Sequence, residues 1–506
     1  MKSLFTTSLA IAFVLITFSC RKDFSTIPST GNLTFSKDTV FLDTVFSNIS
    51  SSTYALKVYN KSSDDIHIPS INLGRVNSSY RLNVDGVPGT SFENVPLRGK
   101  DSLYIFIEAT LNYSPTSPLY TDSIVFDSGE KLQDVKLVTL VQDAHFIYVN
   151  NETDLDTIKP NFIPGSDYRK IHYLTDEEIS IFNEPTNEKS IVIYGYCGVP
   201  SSKTLTIAAS KKIYFHKNSS LVIEKDASLV MEGTLDQKVH IEGDRLEPEF
   251  SETPGQWDAI WLRAGSKSNQ LNHVHIRNAA FGIVCDSLST DGSSPVLTLA
   301  NSEIYNSSEY GVLANHTDIL GKNVVIGNSR NASLSIINGG TYDFNHTTLA
   351  NFWSGSIRRG NTLQISNTAA PVEEGEDIPV NDLSSHFSNC IIDGNNTKEL
   401  FLGKNETDTF DFFFQNCMIR YSSDIEDELY DFTDTNHYVQ IIENGSADFL
   451  DTSLNKFEIG EDSEMINQGD ITEAAKTPLD LLGVDRTTAP DIGAYQHITF
   501  PEEEEE

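Results

Sequence analysis

Apolar and polar residues alternate in a short phrase that recurs through the second half of the chain. The first clear copy is Leu271-Asn-His-Val-His-Ile276-Arg-Asn278, and later copies keep its aliphatic anchor. The anchors are Ile276, Ile304, Ile326, Leu349, Ile392 and Ile419. Neighbouring anchors are 22 to 28 residues apart, with one longer gap. This period predicts stacked structural units rather than one globular core.

Within each copy the alternation predicts which side chains face inward. Val274 and Ile276 should point into the stack, with Ser302, Ile304, Val324 and Ile326 at the same positions of the next copies. An asparagine ends the first four copies. These residues are Asn278, Asn306, Asn328 and Asn351. We expect their side-chain amides to stack into a ladder, because such a ladder pairs turn groups that would otherwise be buried without partners.

Strand patterns also fill the rest of the chain. Between residues 33 and 145, about seven short alternating segments separated by turn sequences predict a β-sandwich. From residue 191, strands follow one another every eight to ten residues, so that three of them make one coil. Residues 146–190 form a connector with one predicted helix, in which Thr175 and Glu178 make a capping box. The sequence therefore predicts an all-β protein.

These patterns resemble those of secreted bacterial proteins. Residues 191–500 look like a right-handed parallel β-helix of the pectate-lyase-like superfamily, and residues 33–145 are similar to the Ig-like β-sandwich modules that precede such β-helices. The phrase Pro490-Asp-Ile-Gly-Ala-Tyr495 closely resembles the module that closes bacterial β-helices. This resemblance implies that the phrase caps the last coil, ahead of an acidic tail at 501–506.

The N-terminus carries a targeting pattern. Lys2 precedes an apolar stretch that is too short to span a bilayer comfortably, and the stretch ends at Ser19-Cys20. This pattern resembles the lipobox of Bacteroidota lipoproteins. The resemblance implies a signal peptide at 1–20, a lipid on Cys20, a tether at 21–32 and an anchor in the outer membrane, facing the periplasm or the cell surface. The alternative is a plain signal peptide with an incidental cysteine.

Charge narrows the range of partners. The chain has 36 Lys and Arg against 72 Asp and Glu, a formal charge of −36. Such a surface repels nucleic acid and polyanionic glycans. Neutral polysaccharide or a cell-surface protein remains as the expected partner. Two pairs of aspartates, Asp286 with Asp291 and Asp431 with Asp434, could help to hold Ca²⁺, but their spacing is not that of an ordered calcium loop. We therefore expect no cofactor.

The signatures of polysaccharide-cleaving β-helices are missing. The chain has no Arg-x-Pro-x-x-Arg, Asn-Thr-Asp or Gly-His-Gly phrase, and Arg358-Arg359 has no acidic partner patterned around it. His273 and His275 should face solvent as ordinary outward residues, because Val274 and Ile276 face inward. We assign no catalytic residue and expect a non-catalytic binding scaffold. A polysaccharide lyase or glycoside hydrolase acting in the β-helix groove, and a structural or adhesive rod, remain the alternatives.

The best candidate surface adjoins an acidic loop at 243–255. If Ile260 and Leu262 face the core, strict alternation directs both nearby tryptophans outward, where they would form a platform for stacking sugars. The candidate ligand-binding residues are Arg245, Glu247, Trp257, Asp258 and Trp261. The alternative is that neighbouring chain covers both indoles. A second interruption of the repeat, at 369–382, is also acidic.

Cys390 and Cys417 occupy the same position in two neighbouring copies. We expect them to stack inward about one strand spacing (~4.8 Å) apart. Two buried thiols and a disulfide between coils are both compatible with that geometry.

Overall fold

The computed structural model describes residues 25–114, 116–127, 132–184, 189–288, 295–368, 381–405, 407–422 and 427–501. These residues form an all-β protein of two compact units, which divide between Asp143 and Ala144. Cys20 and residues 369–380 of the second acidic interruption lie outside the described ranges.

Two sheets form the first unit and enclose a single hydrophobic core. The five-stranded sheet is antiparallel throughout, and the six-stranded sheet contains both parallel and antiparallel pairs. The strands are β1 (Ile27–Pro28), β2 (Leu33–Phe35), β3 (Thr39–Phe46), β4 (Tyr54–Asn60), β5 (Ile66–Leu73), β6 (Tyr80–Val84), β7 (Val87–Gly89), β8 (Ser91–Leu97), β9 (Ser102–Ala109), β10 (Leu119–Asp127) and β11 (Gln133–Gln142). Alternate residues along β9 are buried, which is the pattern of a sheet with one face on a core.

The second unit is built on one curled, mostly parallel sheet of 25 strands. Its chain repeats a set of three successive strands, which we call a coil, and equivalent strands of neighbouring coils pair in three columns. Column A contains β12 (Ala144–Tyr148), β15 (Ser190–Tyr194), β18 (Lys212–Phe215), β21 (Val239–Gly243), β24 (Val274–Arg277), β31 (Ile391–Gly394), β34 (Met418–Ile419) and β36 (Ile442–Glu443). Column B contains β14 (Arg169–Tyr173), β16 (Tyr196–Val199), β19 (Ser220–Ile223), β22 (Trp257–Leu262), β25 (Ala279–Asp286), β29 (Leu363–Ser366) and β32 (Leu400–Gly403).

Column C contains β17 (Thr204–Ala208), β20 (Ser228–Glu232), β23 (Asn269–Asn272), β30 (Leu383–Ser388), β33 (Phe410–Gln415) and β35 (Tyr438–Val439). Three long strands bend through the columns in the middle of the stack: β26 (Leu297–Ser307), β27 (Tyr310–Ser329) and β28 (Ala332–Asn351). The remaining elements are β13 (Thr157–Ile158), β37 (Phe449–Asp451), β38 (Lys456–Ile459), helices α1 (Asp176–Asn183) and α2 (Ile471–Ala474), and short 3₁₀ turns at Pro248–Phe250, Glu428–Tyr430 and Thr452–Leu454.

The interior of the coils follows the predicted inward stripe. Val274, Ile276 and their counterparts in the next two coils are fully buried, so this part of the prediction is confirmed. The expected connector differs from the structure, because β12 and β14 pair in parallel with the next coil and belong to the stack. Helix α1 has the predicted capping box at Thr175, and Phe182 inserts into the interior core.

The last coil is covered by aromatic residues rather than by the phrase 490–495. Tyr430 stacks on Tyr421 with ring centroids 4.3 Å apart, and Phe432 packs against Tyr438. The phrase expected to cap the stack lies instead along the side of column A. There the backbone N–H of Ala494 donates to the hydroxyl oxygen of Thr348 over 3.0 Å.

The predicted asparagine ladder is interrupted. Asn306 donates to Asn278 over 3.4 Å, but the next link is made by Asn455, which donates to Asn306 and accepts from Asn328. The backbone gives these positions a further role, because Asn278, Asn306 and Asn328 have φ values of 63°, 56° and 46°. Asparagine tolerates this left-handed conformation better than most residues.

A second corner, between columns C and A, shows the same backbone requirement. It is occupied by His273, Asn301, Asn323, His346, Asn389, Asn416 and Gln440, all with φ between 48° and 58°. Asn323 donates to Asn301 over 2.9 Å, and Asn389 contacts the His346 ring nitrogen over 2.9 Å. This ladder was not predicted, because histidine and glutamine replace asparagine at several of its steps.

Cys390 and Cys417 are buried free thiols in the interior core. The backbone N–H of Cys390 lies 3.4 Å from the Cys417 sulfur. The two residues therefore stack as expected, in the thiol form rather than as a disulfide.

Candidate functional site

Outward-facing side chains of column A form a row whose chemistry changes halfway along the stack. The register aligns Lys212, His240, His275, Glu303, Val325, Thr348, Ile391 and Met418, which we call the outer row. Its first half is polar and its second half is largely apolar. Val325, Ile391 and Met418 are fully buried, because residues 447–497, the C-terminal segment, pack over them. The polar half of the row begins at the edge of this segment.

A cavity of about 170 Å³ lies at that edge. We call it the outer-row cavity. Three separate parts of the chain line it: strands of column A, the acidic loop 243–255 and the C-terminal segment. The lining residues are Glu252, His275, Arg277, Glu303, Tyr305, Leu454, Asn455, Glu458 and Tyr495.

Glu303 is a carboxylate of the cavity with three donors around it. The hydroxyl groups of Tyr305 and Tyr495 both donate to its Oε1 over 3.0 Å, and Lys238 Nζ lies 2.5 Å from its Oε2. Burial opposes ionisation of Glu303, yet its pKa is lowered by His275, Lys238 and the hydrogen bonds. Burial also lowers the pKa of His275 to about 4. At neutral pH His275 is therefore uncharged, and the Lys238 charge is the one that stabilises the Glu303 carboxylate.

Glu458 has the opposite environment. Its Oε2 atom is buried and has no hydrogen-bond partner among the described residues. Burial, followed by the negative charge of Glu303, raises the pKa of Glu458. One cavity thus contains an ionised carboxylate and a carboxyl group whose environment favours the protonated form. Two carboxyl groups with pKa values moved in opposite directions can divide the roles of proton donor and charged carboxylate.

The other polar groups of the cavity are held in place. Arg277 pairs with Glu242 and lies 3.5 Å from Glu252. Burial and the charge of Glu303 raise the pKa values of Tyr305 and Tyr495 well above the ordinary value, so both hydroxyl groups remain protonated donors. The cavity therefore presents a fixed set of donors and acceptors.

The predicted exposure of Trp257 is wrong. This side chain is 1% exposed and stacks on Phe215 with ring centroids 4.5 Å apart. A register shift between Ala259 and Ile260 interrupts the alternation of β22, so Trp257 points inward on the same side as Ile260. Its indole N–H donates to the Arg277 carbonyl oxygen over 3.0 Å.

The predicted exposure of Trp261 is also wrong, for a different reason. Trp261 does point away from the interior core, but it is only 2% exposed because Phe162 packs edge-on against it, with centroids 5.0 Å apart. Its indole N–H donates to Asp286 over 2.8 Å, and Asn161 donates to the same carboxylate. The chain expected to be a connector thus covers this indole.

The other three candidate residues do not line the outer-row cavity. Asp258 accepts a hydrogen bond from the Tyr196 hydroxyl over 2.7 Å, and burial raises its pKa. Arg245 pairs with Glu247 over 3.1 Å and lies over the Phe250 ring. These contacts hold the acidic loop, and ligand binding by this group remains a prediction.

His275 and Asp431, two of the residues considered from sequence, make local contacts. His275 faces outward as predicted, but it is only partly exposed because the rings of His240 and Tyr305 pack edge-on against it. Asp431 accepts from Thr433, and Asp291 lies outside the described ranges. Within those ranges, no group of three or more His, Cys, Asp or Glu side chains is placed to hold a metal ion.

Sequence reasoning missed the outer-row cavity, although part of its signal was visible. Glu303 and Tyr305 flank the anchor Ile304, at the outward positions of that copy. In later copies the position of Glu303 is taken by Val325, Thr348, Ile391 and Met418, of which only Thr348 is polar. Apolar residues at positions expected to face water indicate that another part of the chain covers them.

Arg358, the first residue of the basic doublet noted in the sequence, pairs with Glu399 in a buried contact away from the outer-row cavity.

Comparisons with known protein sequences give no match for this chain. No protein-family model matches the chain, and no curated protein sequence matches it significantly.

Proposed function

We propose that this chain is a lipid-anchored envelope protein in which an Ig-like β-sandwich precedes a right-handed parallel β-helix that binds glycan. The curled parallel sheet, with strands paired coil by coil, supports the β-helix. The two sheets around one core support the sandwich. The pattern that ends at Cys20 supports the anchor, and replacement of Cys20 by alanine should move the protein from the membrane fraction to the soluble fraction.

The outer-row cavity is the proposed binding site, and the convergence of fixed polar groups on it carries the proposal. Glu252 and Arg277 line it with charged groups, and Asn455 and Glu458 line it with an amide and a carboxyl group. Sugar hydroxyl groups both donate and accept hydrogen bonds, as such a lining requires. Pockets for drug-sized ligands measure about 300–1,000 Å³. A cavity of about 170 Å³ therefore suits one sugar residue.

Charge favours a neutral sugar. Glu252 and Glu303 face Arg277 and Lys238 around the cavity, and the whole chain has a formal charge of −36. An anionic sugar would meet two carboxylates without a surplus of positive charge. We therefore propose the terminal residue of a neutral polysaccharide as the ligand.

Affinity electrophoresis in gels that contain individual neutral polysaccharides tests this proposal. The protein should be retarded by at least one of them, and Arg277→Gln should reduce the retardation at least tenfold. Arg330→Gln is the matched control, because Arg330 also pairs with a glutamate but does not line the cavity. Absence of retardation across neutral polysaccharides, or equal loss in both variants, would contradict the proposal.

A further inference from the structure

We propose that the first unit contains a saccharide-binding site of its own, in a cavity on the outward face of its five-stranded sheet. The cavity measures about 320 Å³, and most of its lining residues belong to β6, β7 and β9. We call it the sheet cavity. This inference goes beyond the proposed function, because the site belongs to the other unit and does not depend on the outer-row cavity.

The strand register places the walls of the sheet cavity. On β9, Ile105 and Ile107 are buried in the hydrophobic core, so Phe106 between them points outward. Phe106 lies opposite Asn83 of β6, and Asn83 lies opposite Pro88 of β7. The short Asn83 side chain is thus placed between two rings, and this difference in size forms the depression.

Phe106 offers an aromatic surface to a ligand. It is 40% exposed although it is a large apolar residue. The Tyr104 ring lies beside it on the same strand, with an angle of 10° between the ring planes and centroids 6.1 Å apart. A sugar ring has an apolar face of C–H groups that can pack on such a ring while its hydroxyl groups remain free to form hydrogen bonds.

The next cross-strand pair supplies the polar wall of the cavity. Arg81 lies opposite Glu108, and their charged groups are 3.4 Å apart. Arg81 also donates to the Thr110 hydroxyl oxygen over 3.0 Å, and Glu108 accepts from the Thr53 hydroxyl group. These contacts hold both charged side chains, and they leave N–H groups of Arg81 and lone pairs of Glu108 for the hydroxyl groups of a ligand.

Charge and size favour a neutral saccharide. Arg81 and Glu108 balance each other, and they are the only charged residues among the described residues that line the sheet cavity. An uncharged ligand with both donors and acceptors complements this lining. The volume is nearly twice that of the outer-row cavity, which corresponds to about two sugar residues.

A proline-rich peptide is the competing occupant, because such peptides also dock on aromatic surfaces. Proline, however, has no N–H to donate to the Glu108 carboxylate. Hydroxyl groups can donate to Glu108 and accept from Arg81 at the same time, so the polar wall decides for the saccharide.

Affinity electrophoresis of the full chain in gels that contain dextran, glucomannan, laminarin or neutral arabinoxylan tests this inference. At least one polysaccharide should retard the wild type, and Phe106→Ala should reduce that retardation about tenfold or more, because the apolar contact with the sugar is lost. Arg81→Gln should also reduce it, through the polar wall. Phe41→Ala is the matched control, since Phe41 is 60% exposed on the six-stranded sheet and does not line the cavity. Unchanged melting temperatures show that the variants are folded.

Wild-type retardation of Phe106→Ala, or an equal loss in Phe41→Ala, would overturn the inference. Absence of retardation by all four polysaccharides would also overturn it, and Phe106-dependent binding to an immobilised polyproline peptide would then assign the cavity to a peptide. A loss in Phe106→Ala without a loss in Arg277→Gln would support the sheet cavity and contradict the proposal for the outer-row cavity. The reverse result would contradict the sheet cavity alone.

Discussion

The hydroxyl group of Tyr495 donates a 3.0 Å hydrogen bond to Oε1 of Glu303. Glu303 belongs to the repeated phrase of the coils, whereas Tyr495 ends the phrase that resembles a closing module. The side chains meet because the C-terminal segment runs along column A over the apolar half of the outer row. The outer-row cavity is therefore complete only when this segment is in place.

Removing the Tyr495 hydroxyl should destabilise the protein. A hydrogen bond to a charged group contributes about 1.5–3 kcal/mol, so Tyr495→Phe should lower the free energy of unfolding by about that amount. Chemical denaturation provides the measurement. In a double-mutant cycle with Glu303→Gln, the two losses should be less than additive. Tyr148→Phe, at an exposed position, should have almost no effect. Strict additivity of the first two changes would show that the contact contributes nothing.

Glu458 should make the protein less stable as the pH rises. Its pKa in the folded protein is raised above the ordinary 4.5, so between the two values the folded state binds more protons than the unfolded state. Stability is therefore highest below the unfolded value and falls through the folded value. Glu458→Gln should match the wild type near pH 4 and have a higher melting temperature at pH 8. A lower melting temperature of the variant at pH 8 would contradict the buried, unpaired carboxyl group.

Arg486 should be essential for docking of the C-terminal segment. It is fully buried, and its guanidinium donates to the carbonyl oxygens of Gly493 and Ala494 and to Asn323 Oδ1 over 2.9–3.0 Å. Lysine keeps the charge but cannot reproduce this planar set of donors. Arg486→Lys should cost about 3 kcal/mol of unfolding free energy. Arg330→Lys, at a partly exposed pair, should cost under about 1 kcal/mol; equal losses would remove the special role of Arg486.

Substitution of Trp257, one of the two buried tryptophans of β22, tests its inward position. Trp257 fills the interior core beside Phe215, so Trp257→Ala should cost about 3–5 kcal/mol. A surface platform would instead lose glycan retention at an unchanged melting temperature. Thermal unfolding and affinity electrophoresis of the same variant separate these results, and an unchanged melting temperature would contradict the buried position.

The contrast between Ile276 and Trp257 shows which parts of the fold can be predicted from the sequence. An aliphatic residue recurs at the position of Ile276 in successive coils. Its inward direction follows from the alternation of side chains along a strand. Trp257 occurs once, and a local register shift reverses its direction. A single shift leaves no periodic signal, so alternation alone directs Trp257 to the wrong side.

The candidate site was harder to predict from the sequence than the fold. Glu303 and Glu458 are far apart in the chain, and they meet through the path of the C-terminal segment over column A. The repeat predicts that Glu303 faces outward, but it contains no information on what lies opposite. The buried Val325 and Met418 do contain such information, because apolar outward residues require a cover.

The corner between columns C and A offers a final prediction, at Asn323. This residue has φ 58°, donates to Asn301 over 2.9 Å and accepts from Arg486 over 3.0 Å. Both Asn323→Gly and Asn323→Ala lose these hydrogen bonds, but only alanine is also strained in the left-handed conformation. Asn323→Ala should therefore be less stable than Asn323→Gly by about 1 kcal/mol in chemical denaturation. At the exposed Asn151, where φ is not positive, the order should reverse, because glycine adds entropy to the unfolded chain. The same order at both positions would show that backbone conformation does not select asparagine at this corner.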